Sequence, residues 1–600
     1  MNQIVILDFG GQYAHLIATR IRSLGVYTEI RAPEGFDPRQ EPRVAGVILS
    51  GGPHSVAEQD HPTIDFDPAA AGVPILGLCY GHQLLAQRLG GLVEAGGTRE
   101  FGSATVRCEE SSPLFANLGE AMRVWMSHGD HVSKLPPGCR IIASTEDLPV
   151  AAFETSDQRM FGLQFHPEVT HTEKGMEILD RFLSLCVSER PWNAGLYHRT
   201  IVDSIRTTAN GKELFLFLSG GVDSLVTLEL CLEAVGPTRV RSVHVDTGLM
   251  REGESSEVVA HLAKLGYDRI DVVHAEEAFL SSLSGVHDPE EKRRIIGKRF
   301  VTIIQQELAR MPGQIDWLLV QGTIYPDRIE SGATSKSARI KTHHNRVAEI
   351  ERLIEQGRVL EPLKDLYKDE VRLLGRELGL PPALLDRHPF PGPGLGVRIL
   401  ASPVDRPEDG YDREIGKLRE LLGRQGLDGA ILPVRSVGVQ GDSRSYLHPV
   451  AVWTRDGTFP GWDVLLTVAR QVVNDLSTVN RVVYSRGPLK NIALVREDVN
   501  RDRADRLRRI DAIARERTDH LTEIWQMPVI SLPARVNQDN AKCPLYVVRP
   551  IVSRDAMTAD VFRMPENDLA VLLDAMEAVS GRGTILYDVT SKPPATIEWE

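Results

Sequence analysis

The sequence has no CxxC pair among its six cysteines, no apolar run long enough to cross a bilayer and no excess of basic residues. Each absence removes a class of function. Scattered cysteines suit reduced thiols rather than a disulfide framework or a zinc knuckle. A membrane span would need about 20 consecutive apolar residues. Lys and Arg number 69 against 82 Asp and Glu, a formal charge of −13. That balance disfavours a large nucleic-acid footprint, which needs a basic face, and leaves room for a local phosphate pocket. The opening residues MNQIVILDFGGQ have no basic n-region or small-residue cleavage site and read as a strand entering a glycine turn, so the expected location is the cytoplasm. What is present is an ordinary globular composition, 42% hydrophobic and 25% charged, in a chain long enough for about three or four domains. Small anionic substrates fit it better than RNA.

Short apolar runs alternate with helical patterns at the start of the chain: IVILD, an amphipathic stretch from His15 to Leu24, VAGVILSGG, then VPILGLC. This is the rhythm of a parallel α/β sheet. A helix from Lys174 to Cys186 leads into SERPWNAG, where Pro191, Asn193 and Gly195 punctuate the chain as a linker does, so a boundary is expected near residue 190. A second α/β unit opens with LFLFL, enters SGGVDS and a helix from Leu225 to Ala234, and continues with the strand VRSVHVD. Around HPFPGPGLG, three prolines and three glycines exclude regular structure, and the chain is expected to pass there into an α+β region.

Within VPILGLCYGHQLLAQ a buried-type strand runs into Gly77, Leu78, Cys79, Tyr80 and Gly81 and then a helix, the layout of a nucleophile elbow with cysteine as nucleophile. The helix N-terminus favours a thiolate, and nearby backbone N–H groups can hold an oxyanion. Past the apolar FGLQF stand His166, Pro167 and Glu168, so Glu168 can orient His166 and His166 can serve Cys79 as base and then as acid. If His166 works as an unperturbed base, activity that depends on Cys79 falls on the acid side near its ordinary pKa of about 6.5. Taken singly, a cysteine in an apolar strand is usually a buried small hydrophobe, and His-Pro-Glu is a common turn. Together with DFGGQY, ILSGGP and MSHGDHV, in this order, they resemble class I glutamine amidotransferases over residues 1 to 190. The resemblance implies that Cys79 attacks the glutamine carboxamide. It also implies that Gly52 and Tyr80 supply oxyanion-hole N–H groups, and that Gln83 with Ser127 to Asp130 lines the glutamine pocket.

LFLFLSGGVDSL is a strand, a glycine loop and a helix start, which aims backbone N–H groups at phosphate oxygens. It is not a Walker A loop, because no GK[ST] follows. The string resembles the PP-loop of ATP pyrophosphatases. That implies ATP binding by Ser219, Gly220, Gly221, Val222, Asp223, Ser224 and Leu225, with Asp223 also helping to hold Mg2+ brought by the nucleotide. Such enzymes adenylate a substrate oxygen so that ammonia can displace it.

HVDTGLMR, QGTIYPDRIES, IKTHHN, EPLKDLYKDEVR, RHPFPGPGLGVR, PVRSVGVQGDSRSY and YDVTSKPPATIEWE are similar to segments of the GMP synthetase family, in its longer, eukaryotic-like form, over nearly the whole chain. The resemblance implies glutamine, ATP and xanthosine monophosphate (XMP) as substrates. It places XMP contacts at Arg293, Asp442, Gln526, Lys592 and Glu598, with Arg444 as a further candidate. Arg293 and Lys592 suit the phosphate, and Asp442, Gln526 and Glu598 suit ribose or base edges. After IKTHHN the short form's GGLP is replaced by RVAEIERLIEQGRV, and the C-terminal region is longer.

The fold expected is thus α/β with parallel sheets: an amidotransferase at 1–190, an ATP pyrophosphatase at 191–400, and an α+β XMP-binding region at 401–600. That last region contains two repeated strand–helix–strand units, about 433–490 and 527–600. In short bacterial members one such unit pairs with its copy in another subunit, so two in one chain imply a monomer held by an internal pseudo-dimer, with a homodimer as the alternative. The rival readings are a glutamine-dependent NAD synthetase, a PP-loop RNA-modifying protein and a non-catalytic amidotransferase-like regulator. The TSKPPATIEWE tail opposes the first, the acidic balance the second, and the intact Cys79, His166 and Glu168 the third.

Overall fold

The computed structural model describes residues 2–600 apart from 12, 59, 170, 265, 311–315, 326–347, 386–389, 441–442, 539–540 and 554–558. The chain divides into two compact units. Of the described residues, the first contains 2–207, 322–325 and 361–379, and the second contains the remainder.

The first unit is built on a nine-stranded sheet. Five parallel strands come first in spatial order: Tyr27–Arg31, Gln3–Leu7, Val44–Leu49, Ile75–Leu78 and Met160–Leu163. Ile4 and Ile6 pack into one core and Val5 and Leu7 into another, because successive side chains of a strand point to opposite faces and both faces are covered. The parallel rhythm read from the sequence describes this half. The other half is antiparallel, through Ala152–Thr155, Cys139–Ser144, Leu92–Cys108 and Ala121–Lys134. No helix lies between those last two long strands, so they pair as a hairpin rather than through a crossover.

Residues far along the chain are tied into this unit around Arg22, which is 3% exposed. Its guanidinium lies 4.9 to 5.3 Å from the ring centroids of Tyr27, Trp192, Tyr325 and Tyr367. It donates to the Asp365 carbonyl at 2.5 Å and to Glu370 at 3.1 Å. Cation–π contact and a charge-assisted hydrogen bond thus satisfy a charge that burial alone would penalise.

The second unit has two larger sheets. The first is five-stranded and wholly parallel, in the order Ile270–His274, Val240–Asp246, Glu213–Leu218, Trp317–Val320 and Val359–Leu360. The helix Pro289–Ala309 of this unit starts where Asp288 accepts from the Glu291 N–H at 2.8 Å and Pro289 occupies the first turn. In the proline-rich stretch Gly394–Val397 forms a single 3-10 turn, where no regular structure was expected; three glycines make so tight a turn accessible.

The other sheet has eight strands, seven of them in the order Leu427–Ile431, Ser443–Thr454, Val479–Tyr484, Thr584–Asp588, Ala541–Val548, Val529–Gln538 and Ala493–Leu494. Ser443–Thr454, the helix Trp462–Asp475 and Val479–Tyr484 form one strand–helix–strand unit with a parallel pair. Ala541–Val548, the helix Glu566–Val579 and Thr584–Asp588 form another. The two meet edge to edge in the middle of the sheet, antiparallel, with Val483 opposite Asp588 and Tyr484 opposite Tyr587.

Candidate functional site

Cys79 stands between the strand Ile75–Leu78 and the helix Tyr80–Arg88, with φ 51° and ψ −106°. This left-handed conformation is costly for a side-chain-bearing residue and is imposed by the surrounding turn. The flanking glycines are required for close approach: a Cβ on Gly77 would lie 2.4 Å from the Gly81 carbonyl oxygen, and one on Gly81 would lie 2.2 Å from that of Leu49. The elbow sets the sulfur at the start of a helix.

His166 is buried and its Nδ1 lies 2.7 Å from Glu168 Oε1, which is also buried. The backbone around the pair is pinned as well. The His166 N–H donates to the Trp125 carbonyl at 3.1 Å, and the Thr172 hydroxyl donates to the His166 carbonyl at 2.6 Å. Burial alone would lower the imidazole pKa, but the Glu168 charge and the hydrogen bonds to Cys79 and Glu168 outweigh it and raise it to about 10. The expectation of an unperturbed base near 6.5 therefore changes. The shift is toward the imidazolium form, which is suited to give up a proton to a leaving group.

Of the other amidotransferase candidates, Gln83 is buried and donates through Nε2 to the Asp130 carbonyl at 2.8 Å. Tyr80 opens the helix that follows the elbow, and its ring packs on Phe9 at 5.2 Å. A Cβ on Gly51 would come within 3.4 Å of His166 Cε1 and 3.7 Å of Cys79 Cβ, so the strand end carrying Gly51 and Gly52 borders the Cys79–His166 pair. The stretch from Ser127 to Asp130 lies in the strand Ala121–Lys134. Gln164, buried between Gln83 and Cys79, was missed by sequence reasoning. Its signal was its place in LQFHPE, two residues before His166.

In the second unit the strand Glu213–Leu218 ends at Ser219, and Gly221 caps the helix Val222–Val235. Gly220 has φ 78° and turns the loop. The Gly221 N–H donates to the Ser219 hydroxyl at 3.2 Å, the Ser224 hydroxyl donates to the Gly221 carbonyl at 2.9 Å, and the two hydroxyls lie 3.3 Å apart. Ser219 and Gly221 are exposed, while the side chains of Val222 and Leu225 are buried. Val222 and Leu225 therefore offer a phosphate their backbone only. Asp223, in the helix's first turn, is half-buried. One carboxylate together with nucleotide phosphates suits Mg2+, which commonly keeps one or two protein ligands and several waters.

Three of the XMP candidates fall in one cluster of the second unit. Glu598 accepts from Arg398 at 2.8 and 3.1 Å and from Gln526 Nε2 at 3.2 Å. Arg293 donates to the Glu600 carbonyl at 2.5 Å and to Glu290 at 2.8 Å. Beside it, the buried Lys292 ammonium lies 2.5 Å from the Glu600 carboxylate. Lys592, in the same final segment, pairs its backbone with Ala559. Asp442 and the IKTHHN segment lie outside the described residues, and Arg444 is placed only as strand backbone opposite Val439.

Comparison with known proteins meets this geometry at both ends of the chain. The model of class-I glutamine amidotransferases matches residues 5–186, and that of the GMP synthase C terminal domain matches 428–489 and 514–599. A probable glutamine-hydrolysing GMP synthase of Leptospira interrogans is 42% identical over 613 aligned residues, covering 100% of this chain and 99% of that protein. Glutamine-hydrolysing GMP synthases of Methylococcus capsulatus and Syntrophomonas wolfei are 44% and 42% identical, each over 80% of this chain and 96% of theirs. With the elbow cysteine and its imidazolium–carboxylate pair at one end, the paired strand–helix–strand units at the other, and similarity spanning the whole chain, the protein belongs to the glutamine-hydrolysing GMP synthase family.

Proposed function

We propose that this enzyme makes GMP from XMP, ATP and glutamine through two separable sites, a glutaminase at Cys79, His166 and Glu168 and a synthetase on the PP-loop and the XMP residues. The observation that carries the reading is the buried His166–Glu168 pair at 2.7 Å beside an elbow cysteine, in a chain of this family. The Cys79 thiolate attacks the glutamine carboxamide carbon, with the N–H groups of Gly52 and Tyr80 facing the oxyanion. The His166 proton passes to the departing ammonia, and His166 then takes a proton from the water that opens the thioester. Glu168 keeps the ring oriented throughout.

On the synthetase side an XMP oxygen attacks the α phosphorus of ATP and pyrophosphate leaves. Ammonia then displaces AMP, which carries that oxygen away. Residues Ser219 to Leu225 hold the departing pyrophosphate. Asp223, together with the nucleotide phosphates, would hold Mg2+, which would neutralise charge on the phosphate oxygens. Arg293 and Lys592 meet the XMP phosphate, and Asp442, Gln526 and Glu598 the ribose or base. In domain terms the reading keeps an amidotransferase at 1–190, a pyrophosphatase at 191–400 and an XMP-binding region at 401–600. Among the described residues no helix is long and apolar enough to cross a membrane, and the cytoplasm is the proposed location.

The reading extends to assembly. The two places matched by the C-terminal model coincide closely with the two repeated units, and those units satisfy each other's strand edges within one chain. This pairing supports a monomer over the alternative homodimer. Light scattering at micromolar concentration checks this: a mass near 66.5 kDa fits, and twice that value opposes it. GMP formation measured with glutamine, then with ammonium in its place, tests the function itself. Absence of GMP with either nitrogen source would refute it.

A further inference from the structure

Gln164 is fully buried, and its two amide atoms face different partners. Oε1 lies 3.1 Å from Gln83 Nε2, and Nε2 lies 3.7 Å from Cys79 Sγ. Amide oxygen and nitrogen are told apart only by their hydrogen bonds, and here the bonds decide from the backbone outward. The Asp130 carbonyl only accepts, so the Gln83 atom 2.8 Å from it is the NH2 nitrogen. That nitrogen has a second hydrogen, so the Gln164 atom facing it is the carbonyl oxygen. The atom of Gln164 facing the sulfur is then the donor.

A neutral donor aimed at sulfur favours the thiolate over the thiol, because the charged form accepts the stronger hydrogen bond. It also restrains the sulfur's position. His166 cannot perform this task through the whole cycle, since its proton must leave with ammonia. An amide keeps its hydrogens at every working pH. The arrangement also commits Gln83 Nε2 to two protein acceptors.

We propose that Gln164 is a positioning residue for the nucleophile, its amide oriented by the Asp130 carbonyl through Gln83 so that its N–H holds Cys79 Sγ in place. This rests on the reading of Cys79 as the glutaminase nucleophile. The relay is Asp130 carbonyl, Gln83, Gln164, sulfur. Its first two links exist to fix the direction of the third.

The test alkylates the full-length enzyme with iodoacetamide at pH 7 and follows the Cys79 peptide by mass spectrometry, so no glutamine is needed. Gln164→Met keeps the length of the side chain and removes the donor. Alkylation should slow by about 3–10-fold, the size expected for net loss of one ordinary hydrogen bond. The kcat for glutamine hydrolysis should fall in parallel, with KM moving less than about 2-fold, because a transition-state interaction is lost and substrate contacts are not. Gln83→Met should slow alkylation too, and the double variant should be no slower than the slower single one, since both break the same chain. A wild-type alkylation rate in Gln164→Met overturns the proposal, and so does a double variant with multiplied effects. If Gln164→Met shows no cooperative melt, Gln83→Met alone decides by the same readout. Cys79→Ala separates the two levels of the claim. Glutamine hydrolysis surviving in Cys79→Ala removes the nucleophile reading, and its loss there beside a wild-type Gln164→Met removes the relay alone.

Discussion

The candidate glutaminase site and the candidate nucleotide site are assembled in opposite ways. At the first, Cys79, Gln83, Gln164, His166 and Glu168 are buried and joined by side-chain hydrogen bonds; Cys79, Gln83 and Gln164 come from a strand end or the first turns of a helix, and His166 and Glu168 from the loop after the strand Met160–Leu163. At the second, the PP-loop exposes Ser219 and Gly221, and the charged candidates are tied to protein partners: Arg293 to Glu290 and Glu600, Glu598 to Arg398. The difference follows from the substrates. Glutamine's reacting carboxamide is neutral and brings no charge to organise a site, so the protein preorganises one. ATP and XMP are polyanions, and on the proposed reading the cations that meet them are compensated by carboxylates in their absence.

The largest expected effect separates the two sites outright. Cys79→Ala should abolish glutamine-dependent GMP formation, by at least about three orders of magnitude, while ammonium-dependent formation persists; Asp223→Ala should lose both. Steady-state assays with each nitrogen source check this, and failure of Cys79→Ala with ammonium would show that the sites are not separable.

Next in size, Glu598→Gln removes the charge that accepts from Arg398 and Gln526. It should raise KM for XMP by about 10–100-fold, the range for a hydrogen bond to a charged group, and leave glutaminase turnover intact. An unchanged KM would mean that Glu598 serves Arg398 rather than the substrate.

The third prediction concerns Glu168→Gln, which should lower glutaminase kcat by about 10–100-fold, the range for a hydrogen bond to a charged group, without touching chemistry between ATP and XMP. The pair also carries a pH signature. His166 is raised in the fold from 6.5 to about 10, so its contribution to stability is complete below about 6.5 and disappears as pH rises through about 10. The melting temperature of wild type should therefore exceed that of Glu168→Gln most near pH 6, with the gap closing toward pH 10.5. A constant gap would show that His166 is neutral in the folded enzyme.

The last prediction is structural, is read as stability rather than rate, and belongs to neither site. Arg22→Met leaves Glu370, whose side chain is 13% exposed, without its cation. That costs up to about 3–5 kcal/mol where a buried pair is broken, seen as a lower melting temperature. Normal stability would mean that the four surrounding rings close over methionine equally well.

Much of both sites was legible because it is local. The elbow, the histidine and glutamate two residues apart and the PP-loop are each contained in a few consecutive residues, and a strand end or helix start follows from the same short string. The two strand–helix–strand units were legible too, since alternation and helical period are written along the chain. What only the tertiary structure decided depends on distance between parts remote in sequence. The antiparallel half of the first sheet, the return of residues 361–379 to the first unit, Arg398 on Glu598 across 200 positions, and the direction of the Gln164 amide are all of this kind. The raised pKa of His166 belongs with them. Its sign is set by a contest between burial and a neighbouring charge, and burial is a property of the packed chain that no run of letters contains.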